Sequence, residues 1–231
     1  MWLLMALQLA TTPGIYDLTL DRETRAPVLY SLSVSEGFDP DEPRPLVIAL
    51  HFAGKNRAHF GRGILTGLVE PGLRELSAII AAPDSPGQGW TSTDSERAVL
   101  DLLDFLTKSY RIDPERVVLT GYSMGGMGTW TIASRHPDRF TAVVPMAGAP
   151  RNVPEDKLRV FTKLPLYAIH SSIDSVVPLE PTKTAIEQLR TWNAADVALV
   201  ILDGVTHYNV PGYTEYPREA ARWLEKVWRW D

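Results

Sequence analysis

Short apolar runs rich in β-branched residues alternate along this chain with longer segments of helical periodicity. The runs that predict buried strands span residues 46–52, 78–82, 117–122, 142–146, 166–169 and 197–202. The segments that predict helices span residues 95–110, 124–134, 181–192 and 216–230. Uninterrupted apolar strands joined by helices are typical of a mostly parallel sheet that is covered on both faces. The sequence therefore predicts an α/β fold with three layers.

Two earlier runs have a different pattern. Residues 15–20 and 28–34 alternate apolar and polar side chains, which favours antiparallel strands at the edge of the sheet. No internal repeat or long linker divides the 231 residues, and a chain of this length is within the usual range of one domain. We therefore expect a single α/β domain over residues 1–231.

The beginning of the chain is apolar from residue 1 to residue 10 except for Gln8. A membrane-spanning helix needs about 20 such residues, so we expect no stable membrane insertion. A secretory signal is an alternative for residues 1–12, but no Lys or Arg precedes the run and the cleavage site is poor. We favour an ordered N-terminal extension and a cytoplasmic protein, and we keep a secreted or periplasmic protein as the alternative.

Composition argues against several functional classes. Acidic residues outnumber basic ones by 28 to 23, and no block of consecutive Lys or Arg appears, which argues against nucleic acid as a partner. Cysteine is absent, so the chain has no thiolate nucleophile and no Cys-ligated zinc. Because no His-x-x-x-His or clustered-carboxylate signature is found, we expect no metal and no cofactor. We expect a monomer or a homodimer that acts on a small molecule.

The strongest functional motif is a strand-to-helix turn around Ser123. It reads Gly121-Tyr122-Ser123-Met124-Gly125, between a predicted strand and a predicted helix. Glycine two residues to either side of the serine lets such a sharp turn close and lifts the hydroxyl into a cleft. The helix start also presents free N–H groups to any anion that forms there. We therefore predict that Ser123 is a catalytic nucleophile.

A serine hydroxyl needs an adjacent base to become a good nucleophile, and five histidines are candidates. His207 lies in a loop between the last predicted strand and the C-terminal helix, which suits the chain order serine, acid, histidine. We predict that His207 is the base. Of the other four, His51 lies upstream of the serine. We expect His59 and His136 to be solvated or capping residues and His170 to be a buried structural residue.

The acid that orients this base is expected after a strand between Ser123 and His207. Asp174 occupies a turn of this kind after the predicted strand 166–169. Asp203 is the rival, but it is more simply interpreted as part of an Asp-Gly turn. We predict that Asp174 holds the imidazole in one tautomer and stabilises the imidazolium.

An acyl-transfer site also needs hydrogen-bond donors for the oxyanion. The backbone N–H of Met124, directly after the nucleophile, is one predicted donor. The second is expected in the loop 51–54 after an upstream strand, where Ala53 is our choice and Phe52 the alternative.

Taken in order, these motifs resemble the α/β-hydrolase superfamily, and within it the small lidless esterases related to dienelactone hydrolase and polyhydroxybutyrate depolymerase. The resemblance is densest at residues 110–117, at the turn around Ser123, at 136–140 and at 170–178. It implies a serine esterase without a cofactor, working through an acyl-enzyme. Phe52 and Ser171 are departures, because the family usually has glycine at both places.

Only about twenty residues separate Gly148 from the next predicted strand, which argues against an extensive lid and favours a shallow, open cleft. Such a cleft suits short-chain or aryl carboxylic esters. The side chains that we expect to line it are Phe52, Tyr122, Trp90 and Tyr208. Loop packing is an equally good interpretation of Trp90 and an alternative for Tyr122 and Tyr208. The resemblance leaves feruloyl or polyester esterases, thioesterases and lactonases open. A non-catalytic binding protein of the same fold is a more distant alternative.

Overall fold

The computed structural model describes residues 10–54, 57–87 and 89–228, which form an eight-stranded sheet with helices around it. In chain order, the strands are β1 (Gly14–Arg22), β2 (Arg25–Val34), β3 (Arg44–Leu50), β4 (Ile79–Pro83), β5 (Ile112–Tyr122), β6 (Ala142–Met146), β7 (Leu166–Ser171) and β8 (Val197–Leu202). Their order in the sheet is β1-β2-β4-β3-β5-β6-β7-β8, and β3 to β8 run parallel to one another. The predicted mostly parallel sheet is confirmed. The predicted extension or signal over residues 1–12 falls mainly on residues 1–9, which lie outside the described residues.

Strands β1 and β2 are antiparallel, as predicted, but only β1 lies at the edge of the sheet. β2 pairs with β1 on one side and with β4 on the other, so the prediction of an edge position is wrong for β2. The polar residues of its alternating pattern are misleading, because Ser31 and Ser33 are both buried. The Ser31 hydroxyl donates a hydrogen bond of 2.7 Å to Asp17 on β1, which satisfies it without solvent.

Helices cover both faces of the sheet. In chain order they are α1 (Arg62–Ile64), α2 (Glu70–Leu73), α3 (Thr93–Ser109), α4 (Met124–Arg135), α5 (Glu155–Leu158), α6 (Glu180–Thr191) and α7 (Tyr216–Val227). Buried apolar side chains of α3, α4 and α6 share one cluster, and those of α1, α2 and α7 share another. Along β3, Leu46, Ile48 and Leu50 belong to the first cluster and Val47 and Ala49 to the second. Because successive strand residues point to opposite faces, the fold has three layers.

The largest error in a predicted element limit is at β5, which begins at Ile112 and not at residue 117. Two smaller errors occur where side-chain hydrogen bonds lie at the end of an element. β3 ends at Leu50 rather than at residue 52, since the chain turns away and the His51 carbonyl accepts a hydrogen bond from Trp90 Nε1. α3 begins at Thr93, before the predicted residue 95, because the Ser92 hydroxyl caps it. Hydrophobic periodicity does not reveal such caps.

The connection between β6 and β7 is short, as expected. It holds α5 and one 3-10 turn, Arg159–Thr162, and this leaves the carboxyl ends of the strands without a large insertion above them. Within residues 10–54, 57–87 and 89–228, no helix is both long and apolar enough to cross a membrane.

Two buried histidines lie at the carboxyl ends of the parallel strands. His51 follows β3 and is 3% exposed, and His170 in β7 is 0% exposed. Burial lowers the pKa of both imidazoles below the ordinary value, although the nearby carboxylates Asp84 and Asp174 partly offset it. Both rings are therefore neutral at pH 7 and serve as hydrogen-bonding groups in the folded protein.

We expect the free energy of unfolding to fall as the pH drops from about 7.5 to about 5. The unfolded chain takes up protons at these histidines around their ordinary pKa of 6.5, whereas the folded chain resists, so acidification favours the unfolded state. Two such groups give a slope of up to about 2.7 kcal/mol per pH unit below that value. Urea unfolding across this range measures the slope, and His170→Gln should reduce it by up to half. A free energy of unfolding that stays constant from pH 7.5 to 5 would contradict the assignment of His51 and His170 as buried, neutral rings.

Candidate active site

One residue, Ser123, makes the sharp turn between β5 and α4. Its backbone has φ 56° and ψ −113°, a conformation that is uncommon for a residue with a Cβ. Close packing of α4 on the sheet maintains this strain. A Cβ on Gly125 would lie 1.9 Å from the Leu50 carbonyl oxygen, and a Cβ on Gly121 would lie 2.5 Å from the backbone of Gly125. Both glycines are therefore needed for α4 to approach β3 and β5 closely enough to form the turn.

Ser123, His207 and Asp174 form a continuous hydrogen-bonded path. The Ser123 hydroxyl lies 2.8 Å from His207 Nε2, and His207 Nδ1 lies 2.6 Å from Asp174 Oδ2. Because the carboxylate accepts, Nδ1 carries the proton of a neutral ring and Nε2 presents its lone pair to the serine O–H. The His207 and Asp174 side chains are buried, and Ser123 is half-buried.

The loop after β7 holds the Asp174 carboxylate in place. Asp174 Oδ1 accepts hydrogen bonds from the backbone N–H groups of Val176 and Val177, at 2.9 and 2.8 Å. His170 Nε2 donates to the Val177 carbonyl at 2.8 Å, and its Nδ1 faces the Thr182 hydroxyl at 3.0 Å. The buried His170 therefore supports the loop that carries the acid, and it does not contact Ser123.

Ser171 connects the loop that carries Asp174 to the loop that carries His207. Its hydroxyl donates to the Val205 carbonyl and accepts a hydrogen bond of 3.2 Å from the Ile173 N–H. A glycine at this position could make neither bond. The departure from the family pattern thus adds a direct link between the two loops.

Tyr122 lies beneath the site and contacts His207 from the sheet side. Its hydroxyl donates a hydrogen bond of 2.6 Å to the His207 carbonyl, and its ring packs edge-on against Tyr213. Burial raises the pKa of Tyr122 far above its usual range, so the hydroxyl remains a donor. Of the two alternatives for Tyr122, the packing one fits the structure and the cleft-lining one does not, because the side chain is buried and bound to the backbone of the His207 loop.

The two predicted oxyanion donors follow neighbouring strands of the sheet, β5 and β3. The N–H of Met124 is in the first turn of α4, where N–H groups lack an intrahelical partner. Near Ala53, His51 Nδ1 donates to the Phe52 carbonyl at 2.7 Å. Since the C=O and N–H of a trans peptide point in opposite directions, this bond orients the Ala53 N–H away from the His51 ring.

The remaining predicted pocket residues have different environments. Trp90 is fully buried and its Nε1 donates to the His51 carbonyl at 2.8 Å, so the loop-packing interpretation is correct and the cleft-lining one is wrong. Phe52 is half-buried, with its ring edge-on to Phe60 at 5.6 Å. Tyr208 is 80% exposed beside the His207 ring.

Several sequence candidates lie apart from this path. Asp203 is exposed and accepts a hydrogen bond from the Ser172 hydroxyl. His136 pairs with Glu96 at the end of α4, and His59 contacts a backbone carbonyl. Among the residues that the structure describes, no group of three or more His, Cys, Asp or Glu could hold a metal ion.

Sequence reasoning missed three supporting residues: Ser171, Thr182 and Tyr213. Ser171 links two loops, Thr182 of α6 contacts His170 in β7, and Tyr213 packs against Tyr122 in β5. An isolated hydroxyl residue has no pattern that predicts such a contact. The departure from glycine at Ser171 is the one available signal, and it does not by itself reveal a link between loops.

Comparison with known proteins agrees with this architecture. The chain is 29% identical over 126 residues to feruloyl esterase C of Emericella nidulans, covering 52% of this chain and 46% of that protein. The crystal structure of a thermostable esterase superposes with a TM-score of 0.77 at 27% identity, over 92% of this chain and 62% of the other. A ferulic acid esterase superposes with a TM-score of 0.74 at 16% identity, over 94% and 100% of the two chains.

The chain spans about half the length of the curated relatives that it matches first. The superpositions confirm the predicted α/β-hydrolase fold. The sequence model of the dienelactone hydrolase family matches residues 84–229, which is more than half of the chain. This protein therefore belongs to the dienelactone hydrolase family.

Proposed function

We propose that this chain is a serine esterase that hydrolyses carboxylic esters through an acyl-enzyme. The observation that carries the proposal is the hydrogen-bonded path from the Ser123 hydroxyl through His207 to the buried Asp174 carboxylate. A base next to a serine hydroxyl, oriented by a third group, is the arrangement that activates such a nucleophile. The names of the feruloyl esterase relative and of the esterase structures support the same reaction class.

In the first half-reaction, Ser123 Oγ forms a bond to the ester carbonyl carbon while its proton moves to His207 Nε2. The carbonyl electron pair moves onto oxygen, and the N–H groups of Met124 and Ala53 stabilise that negative charge. Asp174 stabilises the imidazolium through the 2.6 Å hydrogen bond. The bond from carbon to the alcohol oxygen then breaks, and the alcohol takes the proton from His207 Nε2.

In the second half-reaction, water replaces the alcohol. His207 Nε2 accepts a proton from the water as its oxygen attacks the acyl carbon. The bond to Ser123 Oγ breaks, and His207 returns the proton to the serine. The products are a carboxylic acid and an alcohol, and no cofactor enters either step.

Short-chain and aryl esters are the substrates that we infer. The short connection between β6 and β7 leaves Ser123 accessible, which suits small, water-soluble esters. Hydroxycinnamate esters are a second candidate, because the Phe52 and Phe60 rings lie at the segment that carries the Ala53 N–H and a relative is named a feruloyl esterase.

Ser123→Ala should reduce ester turnover by about 10⁴-fold or more, because it removes the nucleophile. Hydrolysis of p-nitrophenyl acetate measures the loss, and circular dichroism should show an unchanged fold. The matched control is Ser172→Ala, which removes an exposed hydroxyl on the neighbouring loop and should retain full activity. Substantial turnover by the Ser123 variant would refute the nucleophile assignment.

Asp174→Asn should lower kcat by about 10⁴-fold, since an amide cannot hold the same imidazole tautomer or stabilise its charge. Asp203→Asn is the matched control, and it should change kcat less than about twofold because the Asp203 side chain is exposed and accepts its hydrogen bond from the exposed Ser172 hydroxyl. A larger loss of kcat in Asp203→Asn than in Asp174→Asn, measured in a steady-state assay, would identify Asp203 as the acid.

Tyr122→Phe should lower kcat by about tenfold with little change in KM, because the His207 backbone loses a buried hydrogen bond that positions the ring. Tyr110→Phe is the control, since its buried hydroxyl bonds Ala10 far from Ser123, and it should leave kcat unchanged. Equal kcat values for wild type and the Tyr122 variant would show that this bond does not position the base.

A further inference from the structure

Exposed large apolar side chains are concentrated beside the candidate acid and base. In the described part of the chain these residues are Tyr208 (80% exposed), Ile173 (52%), Ile201 (44%) and Val176 (40%). Tyr208 adjoins His207 in sequence, and Ile173 and Val176 flank Asp174. Single exposed apolar residues are ordinary, but three of the four lie within two residues of a proposed triad member.

Hydrogen bonds hold the backbone at Ile173 and Val176, and a ring contact positions the Tyr208 side chain. The Ile173 N–H donates to the Ser171 hydroxyl at 3.2 Å, and the Val176 N–H donates to Asp174 Oδ1 at 2.9 Å. The Tyr208 ring lies edge-on to the His207 ring, with centroids 5.6 Å apart. The three side chains are therefore exposed at fixed positions beside the site. We call Tyr208, Ile173 and Val176 the apolar rim.

Proton transfer determines which half of an ester faces this rim. The alcohol oxygen must approach His207 Nε2 to receive its proton, whereas the carbonyl oxygen must face the N–H of Met124. The alcohol half therefore leaves on the side of His207, and the acyl half takes the remaining direction at the tetrahedral carbon.

We propose that the apolar rim is the binding site for the alcohol half of the substrate and selects esters of apolar, preferably aromatic, alcohols. This inference rests on the proposed esterase function. An aromatic alcohol group gains contact with the Tyr208 ring and with the Ile173 and Val176 side chains, and aromatic pairs are favoured over a contact with water. An alcohol of two carbons offers little apolar surface for these contacts.

The test compares 2-phenylethyl butanoate with ethyl butanoate, because the two alcohols have similar acidity and the acyl-enzyme is the same. Wild type should show a kcat/KM about tenfold higher for the phenylethyl ester. Tyr208→Ser should bring this ratio close to one, and Ile173→Ser should lower it partly. Ile201→Ser removes an exposed apolar side chain from β8 and should leave the ratio and both rates unchanged.

The rate of deacylation separates alcohol binding from a general effect on the triad. The alcohol has already left the butanoyl-enzyme, so Tyr208→Ser should leave its hydrolysis rate, measured in a single turnover, within about twofold of wild type. An unchanged ester ratio in Tyr208→Ser, or a deacylation rate that falls as much as the ratio, would overturn the proposal. Failure of wild type to cleave either ester would instead refute the esterase function.

Discussion

The hydrogen bond between Asp174 and His207 is the interaction on which the candidate site depends. At 2.6 Å, it joins two buried side chains, and a buried carboxylate is costly unless hydrogen bonds satisfy it. The Val176 and Val177 N–H groups supply the other bonds to Asp174. With the proton fixed on Nδ1, the ring has one orientation in which Nε2 accepts from the Ser123 hydroxyl. Every later step in the proposed reaction uses that orientation.

The parallel sheet explains how residues so far apart in the chain reach one place. Parallel strands have their carboxyl ends at the same edge of the sheet, so the segments after β3, β5, β7 and β8 lie together. β3 and β5 are neighbours, and the segments that follow them contain the predicted oxyanion donors and the nucleophile. β7 and β8 are neighbours and carry the acid and the base. The bonds from Ser171 to Val205 and from Tyr122 to His207 then join these segments directly.

Much of the fold could be predicted from the sequence because its signals are local. Strand–helix alternation and the glycines around Ser123 reflect the geometry of a few adjacent residues. The environments of Trp90 and Tyr122 could not be predicted, because burial depends on which distant backbone each side chain meets. The same applies to β2, where the buried Ser31 hydroxyl is satisfied by Asp17 of a neighbouring strand. Asp174 could be chosen over Asp203 because the Asp-Gly turn already gives Asp203 a simpler structural interpretation. The 2.6 Å distance from Asp174 to His207 agrees with that choice. The catalytic role of Asp174 is still a prediction.

Covalent labelling tests the central claim most directly, because a fluorophosphonate reacts only with a serine that its surroundings activate. The labelled residue is identified by peptide mass mapping in wild type and in His207→Gln. The account predicts stoichiometric labelling of Ser123 in wild type and labelling at least about 10³-fold slower in the variant. Labelling at another residue, or an equal rate in both proteins, would contradict it.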